Sequence, residues 1–280
     1  MAYTTIDKPS DYFDTLIYSG NGNNPRTLSG LDFQPDWVWQ KNRTDSNGHT
    51  LADSVRGANK TLSSDGAGAE VTDKNDGHLD AFTSDGFTVG AGSSSDARVN
   101  DGSHTYVAWN WKAGTSFSND ASSTSVGSLD SAGSVSTDAG FSIQTWTGSG
   151  SAATLAHGLG VVPKMIIVKN RSDAVNWFVY HHSAITAGGS NKSFLTLNET
   201  GAVAANGTAT TFTSVSSTTF GVGTDNIING NSDSMIAYLF AEKQGYSKFG
   251  TYTGNGNADG TFVYTGFKPA FVICKRAVGG

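Results

Sequence analysis

The sequence predicts an all-β protein made of tandem β-sandwich modules of jelly-roll-like type, with few short helices. Three observations predict it. Apolar residues come in short runs, either alternating with polar ones or continuous over about five residues, which is strand patterning. Glycine makes up 35 of the 280 residues, so turns are frequent. One strand–turn–strand pattern also recurs three times at matching spacing, the mark of a repeat architecture.

The repeat is carried by spacing. Gly20, Gly148 and Gly254 each open a Gly-x-Gly, completed by Gly22, Gly150 and Gly256. Fifteen residues past each first glycine stands a proline: Pro35, Pro163 and Pro269, three of only 5 in the chain. Six residues further stands a lysine: Lys41, Lys169 and Lys275. Between proline and lysine lie the apolar runs DWVWQ, KMIIV and AFVIC. Further on, GFTVG (86–90) answers to FGVG (220–223), and TYVAWNW (105–111) to SMIAYLF (234–240). The chain divides accordingly. An N-terminal arm spans 1–12, a first sandwich repeat 13–112, a Gly/Ser-rich linker 113–140 and a second repeat 141–242. At 249–280 a third repeat begins and breaks off after its second strand, as expected of a piece of a longer repeat protein.

Each element has a local reason. PSDYFDTLI (9–17) and DSVRGANKT (53–61) are the best helix candidates. YSGNGNN (18–24) raises the question of a phosphate loop, but polar turns and a strand follow it where such a loop needs a helix N-terminus. Its glycines read as positive-φ turn residues. In DWVWQ, Trp37 and Trp39 share one strand face and point to the core, as do Trp109 and Trp111 in TYVAWNW. NDG (75–77), SDG (84–86) and NDG (100–102) are hairpin signals. The linker is polar and aromatic-poor, the composition of a flexible or edge-strand segment. FSIQTWTG alternates with period two; MIIVK and FVICK are β-branched runs suited to covered central strands. A charge at Ile166 or Ile167 is therefore expected to unfold the second repeat. The prolines sit where a missing N–H costs nothing, the lysines where each strand leaves for solvent, and Cys274 in the core.

Charge and composition exclude several classes. The net charge is −6 with no basic cluster, so neither nucleic acid nor a polybasic membrane contact is indicated. One cysteine permits no disulfide within the chain. The start, MAYTTIDKPSDYF, lacks a signal-peptide pattern, and no apolar stretch is long enough to insert in a membrane. None of the six histidines has a partner at common zinc spacing, and no calcium loop or GxSxG elbow occurs, so neither metal, cofactor nor catalytic residue is nominated and no enzyme is expected. His181 and His182, adjacent in VYHHS, read as one packed and one exposed ring. Trp146 and Trp177, on polar-flanked sides, join them as candidate surface contacts.

Taken together, FDTLIYSGNG, GLDFQPDWVWQKNR, DSVRG, TYVAWNWKAG, HGLGVVPKMIIVKNR, NWFVYHHS and YSKFGTYTGNG make the chain resemble repeat-containing virion proteins of marine bacteriophages. The most specific element is HGLG-x-x-P-K-x-I-I-V-K-x-R. The resemblance covers nearly the whole chain, in order. It implies a virion structural protein, a tail fibre or appendage involved in host-surface contact. It would be made in the host cytoplasm, work beside other virion proteins, form a homo-oligomer (a trimer by analogy), and have a host-surface glycan as candidate partner. It implies no catalytic residues. The alternatives are a head decoration or head-fibre protein, a non-phage surface adhesin and a polysaccharide depolymerase.

Overall fold

The computed structural model describes residues 4–72, 74–93, 98–185, 187, 193–205 and 210–278. Almost every element is an antiparallel strand. The first block contains β1 (Phe13–Ser19), β2 (Arg26–Ser29), β3 (Trp37–Asn42), β4 (Thr50–Asp53), β5 (His78–Thr83), β6 (Gly86–Gly90) and β7 (Thr105–Trp111). They form two sheets, ordered β1-β7-β3-β4 and β2-β6-β5. After β8 (Thr115–Asn119), helix α1 (Ala121–Thr124) and β9 (Ser131–Ser136) comes the second block. It contains β10 (Phe141–Thr147), β11 (Ala153–Ala156), β12 (Met165–Asn170), β13 (Phe178–His181), β14 (Ser193–Thr196), β15 (Ala204–Ala205), β16 (Phe212–Val215), β17 (Thr219–Val222), helix α2 (Asn226–Asn229) and β18 (Ser234–Phe240).

The blocks pair alike, strand for strand. Within an eight-stranded sheet, β10-β18-β12-β13 run in the order of β1-β7-β3-β4, and β11-β17-β16 in the order of β2-β6-β5. Register agrees too. Trp111 lies opposite Phe13 on one side and Trp37 on the other; Phe240 lies opposite Phe141 and Met165. Where β13 pairs with β14 and β14 with β15, the first block has the single bridges Leu51↔Leu62 and Thr61↔Val71.

The large sheets are covered on both faces, which is why β3 and β12 are nearly continuous apolar runs. In the first block Tyr18, Leu28, Val38, Phe87, Val89 and Tyr106 form a core between the four- and three-stranded sheets. The opposite face, with Trp37, Trp39 and Trp111, belongs to a larger cluster. That cluster continues into Phe141, Ile167 and Tyr238 of the second block, and on to Leu155, Phe220 and Val222 of its three-stranded sheet. Ile166 and Ile167 are both buried.

Several expectations change. Of the two readings of segment 113–140, flexible or edge-strand, the second holds. β9 pairs with β10 and β8 with β9, so it closes one end of the eight-stranded sheet. Small residues suit β9 because it lies close against β10: a Cβ on Gly133 would fall 1.8 Å from Ile143 O. The 9–17 candidate is a 3₁₀ turn at Pro9–Asp11 and then β1, and 53–61 has turns but no helix. The helices that form, α1 and α2, are capped by Asp120 and Asp225 side chains accepting backbone N–H groups. Residues 249–278 contain no strand, and Cys274 is exposed. The 84–86 signal does make a tight turn, between β5 and β6, with Thr83 opposite Gly86.

Candidate functional site

The glycine turns are held by buried asparagines. Gly20 N–H donates to His104 O at 2.8 Å and Gly22 N–H to Asn100 O at 2.9 Å; Gly148 and Gly150 donate to Asp233 O at 2.8 Å and Asn229 O at 2.9 Å. Asn100 Nδ2 reaches back to Asn21 Oδ1 (3.1 Å) and Asn23 O (2.8 Å), and Asn229 Nδ2 to Ser149 Oγ (3.1 Å) and Ser151 O (2.7 Å). A Cβ on Gly148 would lie 2.0 Å from Gly230 O, so only glycine permits this approach. The stretch 18–24 is thus a clamped turn whose N–H groups are spent on the protein itself.

The repeat lysines are clasps. Expected at the exit to solvent, Lys169 is instead fully buried. Its Nζ donates to Asp173 O (3.0 Å), Val175 O (2.6 Å) and, in the first block, Ala67 O (3.1 Å). Lys41 Nζ does the same locally, donating to Asp45 O (3.4 Å) and to Asn47 O. In each case the next residue, Asn42 or Asn170, accepts two backbone N–H bonds from the same loop. Burial pushes the Lys169 ammonium down to about 8, against the opposing pull of Asp173. Lys275, exposed to a greater degree, donates to Glu199 O. Pro35 and Pro163 are buried just ahead of β3 and β12, whereas Pro269 is exposed, and Gly254 has open space where a Cβ would stand.

Between the blocks runs an aromatic seam with an ionic clamp. Trp37 stacks on Tyr238 with ring centroids 4.3 Å apart and also meets Phe141 at 5.7 Å. The Tyr238 hydroxyl donates to Asp53 Oδ2 at 2.7 Å. Arg56, fully buried, donates from Nε to that same carboxylate, from Nη1 to Glu70 Oε2 (3.1 Å) and Lys60 O (3.2 Å), and from Nη2 to Leu51 O (3.1 Å) and Tyr238 Oη (3.4 Å). Its five N–H groups are all placed. Arg171, from the second block, grips both Glu70 oxygens at 2.8 and 2.9 Å. Two guanidiniums and two carboxylates cancel, the condition under which such charges tolerate burial. Burial alone would raise the Glu70 carboxyl, but Arg171 and Arg56 outweigh it and hold it below its ordinary value. Burial likewise pushes the Tyr238 hydroxyl well up.

The predicted surface contacts divide. Trp146 and Trp177 are buried, at 5% and 0% exposure, and offer no surface. Trp146 packs edge-on to Phe220 at 5.7 Å. Its strand neighbours Ser142 and Gln144 look like a solvent face but are buried too, donating to His157 O at 2.8 and 3.3 Å. Trp177 Nε1 donates across the seam to Ser63 O at 2.9 Å. His181 is half-buried and His182 exposed, their rings 5.4 Å apart. Burial, helped by His182, lowers the His181 pKa. Ser183 bonds both, its N–H to His181 Nδ1 at 3.3 Å and its hydroxyl to His182 Nε2 at 2.9 Å. No three His, Cys, Asp or Glu among the described residues converge to hold a metal ion.

At the seam's rim an open cleft of about 270 Å³ is lined by Trp39, His49, Ser64 and Asp65 on one side and by Asn198 and Glu199 on the other. Trp39 Nε1 donates to His49 Nδ1 at 2.7 Å, which leaves the imidazole proton on Nε2. Sequence reasoning missed Asp53, Arg56, Glu70, Arg171 and Tyr238 as a group. The signal available was rarity: glutamate occurs only at 70, 199 and 242, and a rare ionic residue beside an apolar repeat invites a buried pair.

Compared with known proteins, residues 8–279 match a family model described as a domain of unknown function, DUF7483. No curated protein and no solved structure matches the chain.

Proposed function

The chain belongs to the DUF7483 family, and from its geometry we propose that it is a bacteriophage virion structural protein, a tail fibre or appendage component that takes part in host-surface contact. The observation that carries this reading is the interlock of the blocks. Two modules of one strand order are joined face to face by Trp37 on Tyr238 and by Arg56, Glu70 and Arg171. Repetition builds length, and an interlock of this kind makes that length stiff. The resemblance of the repeat motifs to phage virion proteins supplies the setting: other virion proteins as neighbours, a homo-oligomer of this chain, trimeric by analogy with fibres, and a host-surface glycan as the contacted partner.

Gold-labelled antibody against residues 1–280, imaged on phage particles from a lysate, tests the proposal. Label on tails or fibres is the expected result. Label spread over heads makes the protein a decoration instead. Particles without label, with label on bacterial surfaces, overturn the virion reading in favour of an adhesin.

A further inference from the structure

The cleft at the rim of the seam holds polar groups that the fold leaves unspent. Ser64 is only 4% exposed and lines the cleft, yet its hydroxyl bonds to none of the described residues. A hydroxyl buried to this degree ordinarily has a partner. His49 accepts the Trp39 indole N–H on Nδ1, so its ring is neutral and carries its proton on Nε2, where no described residue accepts it. Asp65 uses Oδ1 on the His49 backbone N–H at 2.9 Å and keeps Oδ2. Glu199, on the other wall, uses Oε1 on Asn176 Nδ2 at 2.7 Å and keeps Oε2.

These groups stand on a braced frame. Trp39 is held by its bond to His49 and by edge-on contact with Trp109 at 6.1 Å. Asn198 fixes the far wall, its Oδ1 accepting the Trp177 backbone N–H and its Nδ2 donating to Asn176 Oδ1, both at 2.9 Å. Preorganisation of this kind lowers the cost of binding.

The lining selects a ligand. Two carboxylate oxygens accept hydrogen bonds, and the imidazole N–H and serine hydroxyl donate them. Hydroxyl groups on a ligand meet both needs, since each donates and accepts. Trp39 and Leu197 add an apolar lining suited to C–H groups. The volume, about 270 Å³, lies just under the range of about 300–1,000 Å³ usual for drug-sized ligands, so one ring fills it. The two carboxylates repel an anion. A bare ammonium or metal ion would meet them but leave the His49 N–H facing a positive charge.

We propose that this cleft binds one uncharged sugar ring of a polysaccharide, with its hydroxyls on Asp65, Glu199, His49 and Ser64 and its C–H groups against Trp39 and Leu197. The inference rests on the proposed host-surface contact for the source of that sugar, a host glycan. It also moves the contact away from Trp146 and Trp177, which are buried.

Magnetic resonance of the full chain tests it, read at the Trp39 indole N–H signal. The probes are the methyl glycosides of glucose, galactose, mannose and N-acetylglucosamine, with the anionic methyl glucuronide as control. At least one neutral glycoside should shift the signal saturably, and the glucuronide should not. Glu199→Gln and Ser64→Ala should each weaken binding about fivefold or more. Both should melt as wild type does, because Glu199 is exposed and the Ser64 hydroxyl holds no partner. No saturable shift with any neutral glycoside overturns the proposal. So does glucuronide binding as tight as that of the neutral sugars, or unchanged affinity in both variants. Sugar binding without label on phage particles keeps this inference and fails the virion reading; labelled tails without sugar binding do the reverse.

Discussion

Trp37 and Tyr238 stack with ring centroids 4.3 Å apart, one from each block, and the Tyr238 hydroxyl completes the contact at Asp53, 2.7 Å away. The same tyrosine therefore serves the apolar seam with its ring and the ionic clamp with its oxygen. Truncating either partner separates these roles. Tyr238→Phe keeps the ring and should cost about 1.5–3 kcal/mol, since it removes the bond to the Asp53 carboxylate and the oxygen that accepts from Arg56 Nη2. Trp37→Ala should cost about 3–5 kcal/mol. Urea denaturation should show one transition for wild type and Tyr238→Phe, and two for Trp37→Ala as the blocks uncouple. A single transition in Trp37→Ala would show that the seam does not couple them.

Glu70→Gln leaves Arg56 and Arg171 facing a neutral amide. Removing one member of a buried charge group is expected to cost about 3 kcal/mol. The carboxyl is held low in the folded chain, so its contribution is present above the ordinary carboxylate range. It is lost as pH falls through the depressed folded value. Melting temperatures from pH 7 to 3 should fall more steeply for wild type than for Glu70→Gln, and the two curves should converge in acid.

Lys169 carries a dependence of the same sign at higher pH. Its folded pKa, about 8, lies below the ordinary lysine value, so between the two the unfolded chain binds more protons. Stability from this group should rise with pH from about 8 to about 10.4. Lys169→Met, which also strands three carbonyls, should be less stable at pH 7, and the gap to wild type should widen at pH 9.5. A constant gap would show that the ammonium keeps its ordinary affinity for the proton.

The first glycine of the repeat should matter twice in one way and once in another. Gly148→Ala and Gly20→Ala drive a methyl into backbone oxygen at 2.0 and 1.8 Å, and each should lower the melting temperature by several degrees. Gly254→Ala meets open space and should be neutral. Thermal melts of the three variants decide this directly.

The sequence shows the strands of both blocks plainly, because alternation in FSIQTWT and β-branched runs such as MIIVK are local properties. Burial of Trp37 and Trp39 follows from the same logic. What it hides is the second layer of contact. Ser142 and Gln144 mark a solvent face by polarity, yet both are buried and both donate to His157 O. Trp146 goes inside with them. Lys169 follows the same rule, since three carbonyls replace the water a lysine ordinarily seeks. Arg171 is brought to Glu70, and Tyr238 to Asp53 and Arg56, by the packing of block on block, which no spacing within either repeat encodes.

The polar run after the first block also has a colloidal consequence. By ending the eight-stranded sheet with β8, whose sequence is TSFSN, the chain makes its sheet border five residues long and largely hydroxylic. Such a border is a poor template for another chain's backbone. On this side the molecule therefore resists edge-to-edge growth of its sheet from one copy to the next.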